Sequence, residues 1–135
     1  MVLHVFTDGG SRGNPGNSGF GVIIKADTAV IHQIGQNIGI KTNNEAEYSG
    51  LIYALTWLIA NPQPAQKIIF YSDSELLFRQ VQGIYRVKAP NLKSYHQNVV
   101  TLLKNLTLPY HFHNIRREFN SEADALANQA MDRQQ

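Results

Sequence analysis

The sequence predicts an α/β fold in which a five-stranded mixed sheet is flanked by helices. Three observations predict it. Three alternating, β-branched segments fall early in the chain and are separated only by turns or short loops, the pattern of hairpin-linked antiparallel strands. Strands and helices then alternate, which calls for parallel crossover connections. Among them lies the apolar run Ile68-Ile69-Phe70-Tyr71, the mark of a central strand buried on both faces. The expected sheet is antiparallel at one edge and parallel in the middle, and residues 1–135 are expected to form one domain.

Each element has a local reason. Val2–Asp8 alternates and is rich in β-branched and aromatic residues, so it reads as a strand. Gly9-Gly10-Ser11-Arg12-Gly13-Asn14-Pro15-Gly16 reads as a loop. Two strands follow near Gly19–Lys25 and Val30–Ile38, with Asp27-Thr28 as the hairpin turn. Asn43–Ala60 is a helix, because Tyr48, Leu51, Ile52, Leu55, Leu58 and Ile59 recur at helical spacing; Asn61-Pro62 stops it. Lys67–Ser72 is the central strand. A short helix runs from about Ser74 to Val81 and ends at Gly83; another begins after Pro90 and runs to about Leu106. Tyr110–Ile115 is the last strand, and Ser121–Met131 the last helix, with Ala123, Leu126, Ala127 and Ala130 inward. Asp132–Gln135 is expected to fray.

Composition removes several function classes. The chain has no cysteine, which excludes a disulfide framework, a thiolate zinc site and a cysteine nucleophile. The N-terminal residues lack the basic start and apolar core of a signal peptide, and no apolar run approaches the ~20 residues of a membrane span. A cytoplasmic protein without a membrane partner is expected. The net charge of +2 averages two unlike parts. Between Leu76 and Arg117 lie Arg79, Arg86, Lys88, Lys93, Lys104, Arg116 and Arg117 with no acid, so this segment carries +7 and the remainder −5. Such segregation suits a polyanion-binding surface beside a separate group of carboxylates.

Four of those carboxylates fall at informative places. Asp8 closes the first strand and Asp73 the central one, and ligands of open α/β sheets bind beyond the carboxyl ends of strands. Glu47 shares a helical stripe with Leu51, Ala54 and Leu58, so it points toward the sheet. Asp124 lies in the first turn of the last helix. Each also has a purely structural explanation. Asp8 before two glycines can begin a turn, Asn44 and Glu47 have capping-box spacing, Asp73 can cap the helix after it, and Asp124 can complement a helix dipole. Taken together, four acids aimed at one rim repel one another, and a divalent cation bound by oxygen ligands, Mg²⁺ or Mn²⁺, removes that cost. The glycine-rich stretch has neither the dinucleotide-binding nor the Walker pattern; it suits a backbone that approaches a nucleic-acid strand closely, with Asn14 offering an amide.

Four blocks resemble ribonuclease H, type 1. They are Thr7-Asp8-Gly9-Gly10-Ser11 with Gly13-Asn14-Pro15-Gly16, then Thr42-Asn43-Asn44-Glu45-Ala46-Glu47, Tyr71-Ser72-Asp73-Ser74, and Glu122-Ala123-Asp124-Ala125-Leu126-Ala127. They occur in the family's order and span nearly the whole chain. The resemblance implies a ribonuclease H-like sheet ordered 3-2-1-4-5 and Mg²⁺-dependent hydrolysis of the RNA strand of RNA–DNA hybrids, leaving 5′-phosphate and 3′-hydroxyl ends. It places the family's metal-binding acids on Asp8, Glu47, Asp73 and Asp124, and its hybrid contacts on Asn14, Thr42, Asn43 and Asn44. The expected mechanism uses two ions: one held mainly by Asp8 and Asp124, the other by Asp8, Glu47 and Asp73. A monomer with no protein partner is expected.

The chain departs from the family pattern twice. The histidine usual before the last helix is Asn114 here, with His113 one residue away as the candidate proton shuttle; a one-residue shift on a strand reverses its face. The segment Gly83–Pro90 is too short for the extra basic helix of some members, so Arg79, Arg86, Lys88 and Lys93 would hold the hybrid, with Tyr85 stacking. Two alternatives stay open at this point: a non-catalytic nucleic-acid-binding module of the same fold, and a DNA-acting nuclease of the wider superfamily.

Overall fold

The structure, a computed structural model, describes residues 1–133; Gln134 and Gln135, the end of the stretch expected to fray, lie outside the described residues. Three antiparallel strands, β1 (Val2–Arg12), β2 (Gly16–Ala26) and β3 (Ala29–Lys41), form one side of the sheet. β4 (Lys67–Ser72) runs parallel to β1, and β5 (Tyr110–Asn114) parallel to β4. The strand order is β3-β2-β1-β4-β5, the mixed five-stranded arrangement expected. Four helices complete the fold: α1 (Asn43–Ala60), α2 (Glu75–Val81), α3 (Pro90–Lys104) and α4 (Ser121–Asp132), the last entered through a 3₁₀ turn at Arg117–Asn120.

Several boundaries move, each for a physical reason. The glycine-rich stretch expected to be loop is mostly strand: β1 continues to Arg12 and β2 starts at Gly16, leaving a tight turn at residues 13–15 where Gly13 takes φ 93°. Strand pairing overrides glycine's weak β-propensity here, because Gly9↔Phe20 and Gly10↔Gly19 complete the ladder. Accordingly β2 and β3 also run longer than expected. Ser74 is the cap of α2 rather than its first residue; α3 stops at Lys104 and β5 at Asn114. Asp132 is the last residue of α4 and Arg133 its C-cap. Asp132 pairs with Arg12 at 2.8 Å, and the Arg133 guanidinium donates to the Gly35 carbonyl.

The main core lies between one sheet face and α1. Leu3, Val5, Val22 and Ile24 pack with Leu51, Leu55, Ile68 and Phe70, all buried. Tyr48, on α1, donates a 2.6 Å hydrogen bond to Gln80 and ties α1 to α2. Glycines set how closely the helices approach. A Cβ on Gly9 would stand 2.4 Å from the Ala46 carbonyl carbon and 2.5 Å from the Glu47 nitrogen, so α1 touches β1 backbone to backbone. On the opposite face α4 rests on Gly21 and Gly35, where a Cβ would meet helix carbonyl oxygens at 2.2 and 2.5 Å.

Gly9→Ala must therefore push α1 off the sheet and is expected to destabilise the protein by about 2–3 kcal/mol. Gly10→Ala is the control, since its Cβ would meet only the flexible end of Met131 at 3.2 Å; its cost should stay below about 1 kcal/mol. Urea unfolding of both variants checks the contrast.

Candidate active site

The parallel pairing of β1 with β4 sets Phe6 opposite Tyr71. Two residues further, Asp8 and Asp73 stand level; Asp73 directly follows β4, whereas Asp8 does not close its strand as expected, because β1 stays paired with β2 as far as Arg12. Glu47 arrives from the first turns of α1, one helical turn before Leu51 on its buried stripe. Asp8, Glu47 and Asp73 each present a carboxylate oxygen, and these three atoms lie within 4.8 Å of one another. Asp8 and Glu47 are buried and Asp73 half-buried. Asp124, half-buried in the first turn of α4, lines the same cleft of about 380 Å³ and lies close enough to Asp8 to act on its charge.

Two of the structural explanations open to these acids are closed by the caps. The capping box of α1 is Thr42 with Glu45, not Asn44 with Glu47. The Glu45 amide donates to Thr42 Oγ1 at 3.1 Å, and the Thr42 amide donates to Glu45 Oε1 at 3.0 Å. Glu47 is free of that duty, and its Oε1 is buried without a hydrogen-bond partner among the described residues. Likewise Ser74, not Asp73, caps α2, accepting from the Leu77 amide.

The cost of this gathering appears in the acidities. Burial, then the charge of Asp73, pushes Asp8 up from 3.8 to about 8. Glu47 is raised well above its ordinary value, by burial first and then by Asp8 and Asp73. Asp73 is raised by burial, but the Arg117 guanidinium opposes the rise. A divalent cation would relieve all three, and the donor set, oxygen only with one buried unpartnered carboxylate oxygen, fits Mg²⁺ or Mn²⁺.

The other candidate residues divide between two places. Asn14, Asn43 and Asn44 stand at the cleft's outer side. Asn43 Oδ1 accepts from the Ser11 amide at 2.8 Å, and Asn14 Oδ1 accepts from the Asn43 amide at 3.0 Å. Both oxygens are engaged internally, while the Nδ2 donors of Asn14 and Asn43 make no hydrogen bond among the described residues. Thr42 is committed to its cap. Arg86 and Lys88 are not brought to the carboxylates. They flank exposed Tyr85 in a groove along the α2–α3 connection, with Lys93 nearby. Arg79 lies over the Tyr85 ring at 5.3 Å and bonds to Glu75, which occupies its charge locally. His113 is exposed on β5 with its ring against Tyr71, and Asn114 donates to the Ser72 carbonyl, closing the ends of β4 and β5.

Sequence reasoning passed over two residues of this site. Arg117 was counted only within the basic segment, yet it lines the carboxylate cleft and faces Asp73. Asn120 has no role in the sequence reading, yet it is 1% exposed and its amide donates to the Thr7 carbonyl of β1. Both precede Asp124 by at most two helical turns, the one signal that marked them. Among the described residues no helix is long and apolar enough to cross a membrane.

Known proteins match this chain in sequence and in fold. A family model described as reverse transcriptase-like matches residues 6–130. The ribonuclease HI of Halobacterium salinarum is 35% identical over 131 residues, covering 96% of this chain and 64% of the relative. The bifunctional protein Rv2228c of Mycobacterium tuberculosis is 38% identical over 135 residues, 98% of this chain and 36% of the relative. This chain thus spans somewhat under two thirds of the one and about a third of the other. The crystal structure of LC11-RNase H1 in complex with an RNA/DNA hybrid superposes with a TM-score of 0.90 at 38% identity, covering 96% of both chains. Alike in strand order, in sequence and in nearly full-length superposition, this chain belongs to the type 1 ribonuclease H family.

Proposed function

We propose that the protein is an endoribonuclease that hydrolyses the RNA strand of RNA–DNA hybrids, using two Mg²⁺ ions that Mn²⁺ can replace. The observation that carries this reading is the convergence of Asp8, Glu47 and Asp73 within 4.8 Å beside Asp124, with a buried Glu47 oxygen left unpaired. A protein without a cation to hold there has no use for so costly an arrangement. Similarity to an RNase H1 crystallised with a hybrid supports the choice of substrate.

Asp8 would be the shared ligand, holding one ion mainly with Asp124 and the other with Glu47 and Asp73. Such ions would supply an activated water and stabilisation of the leaving 3′ oxygen, which would leave 5′-phosphate and 3′-hydroxyl ends. The chain's own groups bind and orient. The outward Nδ2 groups of Asn14 and Asn43 donate to phosphate oxygens, while Arg86 and Lys88 hold backbone farther along the hybrid. Contacts to 2′-hydroxyls near the carboxylates select RNA over DNA. The reading carries with it a monomer acting in the cytoplasm, which the cysteine-free composition suits.

A gel assay of end-labelled hybrid, duplex DNA and duplex RNA with Mg²⁺ or Mn²⁺ tests the activity. Only the hybrid should be cut, and only in its RNA strand. Asp73→Asn should still bind hybrid but lose cleavage by more than about 100-fold; undiminished cutting would remove Asp73 from the site.

The raised acidities predict how the metal-free protein responds to pH. The folded state keeps a proton on Asp8 up to about pH 8, whereas the unfolded chain releases it near 3.8. The stability from this group is complete below the unfolded value and is lost as pH rises toward 8. Melting temperature without metal should therefore fall between pH 5 and pH 8. Millimolar Mg²⁺ should restore it most at the higher pH. Asp8→Asn should flatten the profile and raise the metal-free melting temperature at pH 8 by about 3 °C or more, equivalent to ~1 kcal/mol. Calorimetry across this range checks all three.

A further inference from the structure

We infer that Asn120 is a positioning residue that sets the metal-binding carboxylates in register, an inference that rests on the two-metal reading above. Its side chain is 1% exposed and sits where three elements meet. Nδ2 donates a 2.9 Å hydrogen bond to the carbonyl of Thr7, the residue directly before Asp8 on β1. The same amide lies close enough to the Asp73 carboxylate, just beyond β4, to favour its charged form. Asn120 is also the residue from which α4 starts, one helical turn before Asp124. A single amide thus links the backbone beside one carboxylate, the side chain of a second and the helix that carries a third.

The remaining atom of the group argues that this link is kept for function. Asn120 Oδ1 is buried with no hydrogen-bond partner among the described residues. A buried acceptor without a protein partner disfavours folding, so a side chain of similar volume without polar atoms would serve packing better. Nor is the amide needed as a helix cap, since it makes no capping bond to α4. What Asn120 provides and an apolar residue cannot is an N–H donor that holds the backbone beside Asp8 from a position close enough to Asp73 to favour its charged form. Groups that orient metal ligands in this way change metal affinity and turnover when removed, even though they never touch the metal.

The test compares Asn120→Leu, close in volume but lacking both polar ends, with wild type; Asn120→Ala serves if the leucine variant does not fold. Mn²⁺ binding is measured by titration calorimetry well below the melting temperature, alongside kcat and KM for a hybrid substrate. The folded variant should bind Mn²⁺ about 10–100-fold more weakly, with kcat falling in parallel and KM within about twofold of wild type. A residue with a merely structural role would lower the melting temperature and leave the Mn²⁺ affinity of the folded protein unchanged; that result overturns the inference while leaving the nuclease reading intact. A wild-type protein that binds no Mn²⁺ and cuts no hybrid overturns both.

Discussion

Mutual repulsion among buried carboxylates is the constraint on which the rest of this structure depends. Asp8, Glu47 and Asp73 are held within 4.8 Å with little water to screen them. Left to itself such a cluster would separate, so rigid elements must hold it. β1 and β4 do so through their parallel register, and α1 does so by lying directly on Gly9. Among the described residues lining the cleft the counter-charge is small: the Arg117 guanidinium faces Asp73, and Arg12 is paired with Asp132. The cluster remains short of positive charge, which gives a divalent cation its purchase.

The same constraint explains the division of labour at the helix starts. Thr42 and Glu45 satisfy the first amides of α1, and Ser74 those of α2. With these neighbours serving as caps, Glu47 and Asp73 are spared that role and remain available in the cleft. The glycines beneath α4 work in parallel: by letting the helix settle onto β2 and β3, they lower its first turn, and Asp124 with it, toward Asp8.

Much of this was legible in the chain before the structure. Periodicities and stop signals located all five strands and all four helices, and the four acids stood out by their places near strand ends, on an inward helical stripe or in a first helical turn. What stayed hidden depended on tertiary context. Nothing local announces that Gly9–Arg12 is strand, since only pairing with Asn17–Phe20 makes it one. The choice between Thr42–Glu45 and Asn44–Glu47 as the capping box is a shift of two residues that spacing alone does not decide. Arg117 and Asn120 acquire their meaning from Asp73 and Thr7, more than 40 residues away in sequence, and no window along the chain contains both partners.

The paired amides at the cleft mouth carry a consequence for recognition. Asn14 and Asn43 are exposed, and an exposed asparagine ordinarily loses rotamer freedom when it grips a ligand. Here each side-chain oxygen is already held by a backbone amide, Asn14 by that of Asn43 and Asn43 by that of Ser11. In the proposed function, the ordering entropy would then be lost when the chain folds rather than when a phosphate arrives, so both amides would meet an anion already ordered.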